Sequence, residues 1–346
     1  MRRTQTIPRF VAGLLFVCWI SAGALFAQET DAPPKPFTLV VLPDTQCYCD
    51  TQFAQSAKRW GNGDLRKYLF AQTDWIRRSA KELNIAFTVH EGDINQTNYP
   101  EEWAIAREAM KSLDGIVPYC FCLGNHDMGV VKSETSKSGY VSGVDRTTLF
   151  NDYFPRAKFA KWKSFGGTFD ESHDNSYYHF EQSGMKFLIL NLEFVPRDEV
   201  LEWAGKITQK HADHRVMIVT HNYLEANNTR IKGNHYKVQG NDGEQMWEKF
   251  VSKHENIFLV LCGHRLGEGY LLSKGVAGNP VHQLLADYQG ENNGGEGWLR
   301  YMTFHPTKDT IEVHTYNPVF DKQREGESSR FTLSYEMLKE TQAVER

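Results

Sequence analysis

The first apolar run of the fold is Phe37-Thr-Leu-Val-Val-Leu42, which does not alternate and stops at Pro43 and Asp44. A short run of that kind predicts a strand covered on both faces, as in a parallel sheet under helices. Runs of similar character recur at Ala86–Val89, Pro118–Leu123, Arg215–Val219 and Ile257–Leu261. Between the first two, Leu69, Trp75, Ile76 and Ala80 fall at mixed three- and four-residue spacing, which predicts a helix over Lys67–Leu83. Helices are also predicted over Glu101–Leu113, Arg197–His211 and Gly243–His254. Strand, helix, strand, helix, strand is the opening of an α/β fold with parallel pairing.

Elsewhere the pattern changes. Asn175–Phe180 and Met185–Leu192 flank Ser183-Gly184, which predicts a hairpin. Val281–Tyr288, Leu299–Phe304, Ile311–Tyr316 and Phe331–Met337 alternate as strands of a second sheet would. Met128–His173 reads as a long surface excursion, yet Phe150, Tyr153, Phe154, Trp162 and Phe165 predict that much of it packs. No internal repeat divides the chain, so residues 37–338 are expected to form one domain, with 339–346 a polar tail.

Ahead of that domain, Arg2 and Arg3 precede an apolar stretch, Val11–Ile20, followed by Ser21, Ala22, Gly23 and Ala24. Charge, apolar core and small residues in that order predict an export signal over residues 1–27 that is cleaved after Ala27 or Ala24. The alternative is an uncleaved anchor, because Phe10–Ala27 nearly reaches spanning length. Residues 28–36 then serve as a Pro-rich linker. A periplasmic or secreted location follows, with no membrane span once the signal is removed.

Composition narrows the partners. With 346 residues, 40% hydrophobic and 24% charged, the chain is an ordinary globular one, and its net charge of -4 is spread without blocks. Neither a nucleic-acid tail nor a polybasic membrane patch is present. Past the signal the cysteines are Cys47, Cys49, Cys120, Cys122 and Cys262, an odd set, and the members of each close pair stand too near for a relaxed bridge. Bridges between the pairs stay open, and buried apolar roles are expected for most of them. Oligomeric state is left open.

The chemistry sits at the ends of the apolar runs. Asp44-Thr-Gln46, Gly92-Asp93-Ile-Asn95, Gly124-Asn-His-Asp127, Thr220-His221-Asn222 and Gly263-His264 each follow one of them. In an open α/β sheet the carboxyl ends of neighbouring strands gather such residues into one crevice. Carboxylate, amide and imidazole groups converging there suit Mn, Fe or Zn better than a thiolate-selective ion. Each residue alone has a blander reading, Asp44 and Asp93 as turn or cap residues and the histidines as hydrogen-bonded core groups. His90 and Glu91 are placed outside the site, because strand alternation turns neighbours to opposite faces. Asn95-Gln-Thr97 and Asn227-Asn-Thr229 match the glycosylation pattern, and both are read as coincidence.

These motifs together resemble the calcineurin-like metallophosphoesterase superfamily, whose pattern is Asp-x-His, Gly-Asp, Gly-Asn-His-Asp/Glu, a later His, and Gly-His-x-His. The resemblance covers Phe37–Met337 and includes Asn175-Ser-Tyr-Tyr178, Leu284-Leu-Ala-Asp-Tyr-Gln289 and Gly297-Trp-Leu-Arg300. It is closest to exported bacterial members with Asp-Thr-Gln as first motif. It implies a four-layer α-β-β-α sandwich, two mixed β sheets flanked by helices. It also implies two divalent ions, with Asp93 between them, Asn125, His221 and His264 on one, and Asp44 and Gln46 on the other. Such a pair activates water and clamps phosphoryl oxygens, which implies hydrolysis of small-molecule or lipid phosphomonoesters or phosphodiesters by metal-activated hydroxide. His126 is expected to act on the leaving group or the developing charge, with Asp127 orienting its ring.

Two departures bear on the second ion. Gln46 stands where the family has His, and Leu266 stands at the second His of Gly-His-x-His. Gln46 is then a weak ligand or an outer hydrogen-bonding group, and Glu268 or His282 is a candidate to fill the gap. Arg265 is read either as a phosphate contact or as a solvated charge, and Trp298 and Tyr288 chiefly as packing. The rival to an enzyme is a catalytically weakened metal-binding module that holds a phosphorylated ligand.

Overall fold

The unbroken apolar runs are strands, and four of them are buried along their whole length: Phe37–Leu42, Ile85–His90, Tyr119–Phe121 and Ile257–Cys262. In this computed structural model the described residues are 1, 33–51, 63–136 and 139–337. The expected signal and polar tail lie outside them, as does the linker before residue 33. From Pro34 onward the chain is one compact unit.

In chain order the strands are β1 (Phe37–Leu42), β2 (Ile85–His90), β3 (Tyr119–Phe121), β4 (Val131–Lys132), β5 (Tyr140–Val141), β6 (Phe165–Thr168), β7 (Ser176–Gln182) and β8 (Met185–Asn191). They continue as β9 (Arg215–Val219), β10 (Ile257–Cys262), β11 (Gly267–Lys274), β12 (Pro280–Asp287), β13 (Leu299–His305), β14 (Thr310–Asn317), β15 (Lys322–Arg324) and β16 (Arg330–Ser334). The helices are α1 (Gln46–Cys49), α2 (Arg66–Ser79), α3 (Pro100–Lys111), α4 (Phe150–Tyr153), α5 (Arg156–Phe159), α6 (Asp198–Lys210) and α7 (Gly243–Lys249).

Two mixed sheets result. The first has the order β15-β14-β13-β1-β2-β3 with β16 also on β14, and the second β11-β12-β10-β9-β8-β7-β6. The β1–β2–β3 run is parallel, and so is the β8–β9–β10–β12 run. Strand period places successive side chains in different layers. Phe187 and Ile189 of β8 join the core shared with the first sheet, whereas Leu188 and Leu190 pack with Val200, Leu201 and Ala204 of α6 and Met246 of α7. Tyr68, Leu69 and Ile76 of α2 and Trp103 and Ala106 of α3 cover the first sheet. The layers are therefore helix, sheet, sheet, helix.

One expectation is corrected. Of the four alternating runs after residue 280, only the first lies in the second sheet, as β12 beside β10. β13 instead runs antiparallel to β1, pairing Leu39 with Met302, and carries β14 and β16 into the first sheet. Alternation marks a strand but not its partner. The unforeseen β11 pairs with β12 along its whole length.

The β7–β8 hairpin turns on Ser183 (φ 53°) and Gly184 (φ 74°), the two positive values of a type I′ turn. The Met128–His173 excursion holds β4, β5, α4, α5 and β6. Its Phe150 and Phe154 are buried against Trp103 and Phe121. Cys49, Cys120, Cys122 and Cys262 are buried thiols, and burial pushes each of them up from the usual thiol range.

Candidate functional site

The polar clusters meet where β1, β2 and β3 of one sheet and β9 and β10 of the other end side by side. A carboxylate oxygen of Asp93 and a ring nitrogen of each of His221 and His264 lie within 4.8 Å of one another. The backbone has to come very close here. A Cβ at Gly124 would stand 2.1 Å from Asp93 Oδ1, and one at Gly263 would stand 2.1 Å from Asp44 Oδ1. Both motif glycines are thus required by packing against the carboxylates. Asp93 and His264 themselves sit at positive φ, 48° and 75°. Such values are sparsely populated by residues with a side chain and cluster at functional sites.

Hydrogen bonding fixes which atoms are left for a ligand. His221 Nδ1 donates to the Glu91 carbonyl at 2.7 Å, which places the lone pair of the neutral ring on Nε2, 3.2 Å from Asp93 Oδ1. Asn125 Nδ2 donates to Ser142 Oγ at 2.9 Å, so its oxygen is the atom that faces inward. Asn125 Oδ1, His221 Nε2, His264 Nε2 and Gln46 Oε1 are all buried without a hydrogen-bond partner. Leaving one buried polar atom unpaired costs about 1–3 kcal/mol. Two amide oxygens and two ring nitrogens gathered in one place form a nitrogen-and-oxygen donor set that fits a divalent transition ion.

The electrostatics agree. Burial opposes ionisation of Asp93, but His221, His126 and His264 outweigh it and hold that carboxylate below the usual range. Burial also works against charge on His221, and Asp93 more than compensates, raising it. Burial and then His221 drive His264 well down, so its ring is neutral and able to ligate. Asp44 is pushed well up by burial, then by Asp287 and Asp93, and burial lifts Asp287 to about 6. The cluster holds more acidic charge than its histidines balance, and a cation would relieve it.

Asp44, Gln46, Asp93, Asn125, His221 and His264 are all brought to this centre. Asp44 accepts from the His264 amide at 3.3 Å and lies 3.9 Å from His221 Nε2. Gln46 begins α1, buried, with its amide oxygen unpaired. His126 borders the cleft beside the centre, and its amide donates to Asp93 Oδ1 at 2.8 Å.

Asp127 does something other than expected. Its oxygens accept from the amides of Ile94 (2.9 Å), Asn95 (3.1 Å) and Gly124 (2.8 Å) and from Asn95 Nδ2 (3.1 Å). It ties the Asp93 loop to the Asn125 loop and leaves the His126 ring alone. That ring is held by Gln96, whose carbonyl is 2.7 Å from Nδ1. Asn95 is fully buried in this knot, which leaves no room for a glycan.

Neither candidate replacement for the missing histidine is available. Glu268 is engaged by Arg300, Tyr288, Thr315 and Ser329, and His282 uses one nitrogen toward Tyr270 and the other toward the Ser334 carbonyl. Leu266 is 59% exposed at the rim. Arg265 pairs with Glu225 at 3.3 Å. His90 donates or accepts at both nitrogens, toward Thr45 and Gly92, and burial drives it to about 3, so it is a neutral framework group. Tyr288 is buried on Glu268, and Trp298 packs under Arg324. Residues not singled out from sequence are Gln96, Ser142, Tyr236, Asp287 and Gln289. Tyr236 packs its ring against His264 and Phe194, and Gln289 Nε2 donates to Asp44 Oδ2 at 3.2 Å. The stretch ending in Gln289 carried the resemblance, but no spacing rule connected it to Asp44.

Above the centre is a cleft of about 730 Å³, with Asp93, Asn125, His126 and His264 among its lining residues. Tyr140, Tyr236, Lys237 and Leu266 contribute to the remainder of its wall.

Comparison with known proteins places this site in context. The model of the family described as Calcineurin-like phosphoesterase matches residues 37–268, two thirds of the chain. The chain is 28% identical over 337 residues to the uncharacterized protein YvnB of Bacillus subtilis (strain 168), across 93% of this chain and 23% of that protein. It therefore spans under a quarter of that relative's length. Among solved structures it is similar to the purple acid phosphatase PPD1 from yellow lupin (Lupinus luteus) seeds, with a TM-score of 0.51 at 12% identity, across 88% of this chain and 55% of that one. That likeness is one of fold. The matched stretch contains the strand ends that present Asp44, Asp93, Asn125, His221 and His264, and the chain belongs to the calcineurin-like phosphoesterase family.

Proposed function

We propose that this chain is an exported, metal-dependent hydrolase of small-molecule phosphate esters. The observation that carries the reading is the group of four buried side-chain atoms without a hydrogen bond, Gln46 Oε1, Asn125 Oδ1, His221 Nε2 and His264 Nε2, gathered around Asp93 beneath a cleft. Asp93, Asn125, His221 and His264 would hold one ion, and Asp44, Gln46 and Asp93 a second. Divalent ions bound there supply Lewis acidity toward a phosphoryl oxygen and bring the ionisation of water near neutral pH.

The chain's own groups do the rest. The Glu91 carbonyl fixes the His221 tautomer, and Ser142 fixes the Asn125 amide, so both ligands are oriented before anything binds. Gln96 holds His126 Nδ1, which leaves Nε2 as the nitrogen for a substrate. In the imidazolium form that nitrogen can give its proton to a departing alkoxide. Lys237 on the cleft wall supplies positive charge for the phosphate. At about 730 Å³ the cleft is in the range that takes a whole small molecule, so the organic part of the ester has room alongside its phosphate.

Metal-loaded full-length protein is expected to release nitrophenol from nitrophenyl phosphate or bis(nitrophenyl) phosphate at least ten-fold faster than chelator-treated protein. Two bound ions with no release from either ester would sink hydrolysis and favour a module that binds a phosphorylated ligand. Leu266, turned to the rim where the family has a ligand, is the observation behind that second reading.

Export rests on the order of residues 2–27. Protein recovered outside the cytoplasm is expected to begin at Gln28 or Leu25 on N-terminal sequencing. An intact N-terminus in the cytoplasmic fraction would count against it. Among the described residues no helix is long and apolar enough to cross a membrane.

A further inference from the structure

We propose that Gln289 and Asp287 complete the second ion's site in place of the histidine that Leu266 replaces, and that they make it an oxygen-only site for a hard ion such as Mn²⁺ or Mg²⁺. The inference rests on the metal-centre reading above and assigns residues to it that the family motifs do not include.

Gln289 Nε2 is within hydrogen-bond distance of two buried carboxylates, Asp44 Oδ2 at 3.2 Å and Asp287 Oδ2 at 3.0 Å. The Gln289 amide also donates to Asp287 Oδ1 at 2.9 Å, so backbone and side chain are both fastened to the same aspartate. Asp44 and Asp287 are 2% and 1% exposed, and among the described residues neither has a lysine or arginine partner. A neutral amide therefore joins two buried carboxyl groups that no lysine or arginine serves, a setting that suits a cation.

Leu266 and Gln289 face the same cleft. The Leu266 side chain lies over Gly290, where an added Cβ would come within 2.9 Å of it. The space the family gives to an imidazole is thus shared by an apolar rim residue and the Gln289 amide. An ion on Asp44 would take the place of its hydrogen bond from Gln289, whose Nε2 would keep its bond to Asp287. Asp287 then acts as a positioning residue, holding Nε2 so that the Gln289 oxygen is presented to the ion, as an outer carboxylate steadies a metal ligand.

The donor set of the second site becomes the carboxylates of Asp44 and Asp93 and the amide oxygens of Gln46 and Gln289. An all-oxygen set suits Mg²⁺, Ca²⁺ or Mn²⁺, whereas the two imidazoles of the other site suit Zn²⁺ or Fe²⁺. The two sites should therefore sort metals between them.

The test is metal content. Full-length protein stripped with chelator and reloaded from an equimolar Zn²⁺ and Mn²⁺ mixture is expected to retain about one of each per chain after gel filtration. Gln289→Leu and Asp287→Asn should keep the zinc and lose at least ten-fold in Mn²⁺ affinity, read by manganese electron paramagnetic resonance. Retained zinc shows that a variant has folded. Should Asp287→Asn fail to fold, Gln289→Leu and the exposed-site change Leu266→His decide the matter, the latter by moving the protein toward two zinc ions. Two zinc ions in the unaltered protein, or an unchanged Mn²⁺ affinity in Gln289→Leu, overturns the inference. A protein that sorts the metals but hydrolyses neither nitrophenyl ester overturns the hydrolytic reading alone.

Discussion

Replacing His126 with alanine lowers kcat by about 10²- to 10⁴-fold while metal content stays at the level of the unaltered protein. The two halves of that expectation come from one local arrangement. The backbone amide of residue 126 donates to Asp93 Oδ1, and alanine keeps that bond. The ring, by contrast, is hydrogen-bonded to Gln96 and borders the cleft. Its removal takes away a proton donor without disturbing a ligand. The loss should be largest for esters with a poor leaving group and small for nitrophenyl esters, which depart without help. Comparing kcat for an alkyl and a nitrophenyl phosphate measures this. An equal loss on both, or a fall in bound metal, would show that His126 acts on the ions instead.

Asp127→Ala is expected to destabilise the protein by about 3 kcal/mol or more and to abolish tight metal binding along with activity. The carboxylate serves three backbone amides, those of Ile94, Asn95 and Gly124, from a fully buried position. Alanine leaves those donors without acceptors, at about 1–3 kcal/mol each. Two of them flank Asp93 and Asn125 in sequence, so the loops that present both ligands lose their common anchor. Asp127→Asn keeps the shape but supplies one acceptor oxygen in place of two, and should fall between the two proteins. Thermal unfolding with and without chelator measures the effect. An alanine variant that melts like the unaltered protein would remove Asp127 from the framework.

Much of the centre could be read from the sequence because each ligand follows a strand buried on both faces. β1, β2, β9 and β10 are unbroken apolar runs, and the residue types after them were informative in combination. What escaped was lateral. β13 reads as a strand wherever it pairs, and only its contact with β1 assigns it to the first sheet. Gln289 escaped for the same reason, since its place beside Asp44 depends on β12 lying next to β10. Asp127 was misread in another way. Adjacency to His126 suggested an orienting carboxylate, but a side chain at a tight turn reaches backbone amides across the turn more readily than its neighbour's ring.

The centre draws Asp44, Asp93 and Asn125 from the first sheet and His221 and His264 from the second. A nascent chain made only as far as the end of β2 and the loop after it owns both aspartates of the site and neither His221 nor His264. A metal held by both halves would need the two sheets to have met, and would act as a fastener late in folding. Its binding energy would then be added to the docking of one sheet on the other, so starvation for metal should be felt first as a loosening along that seam.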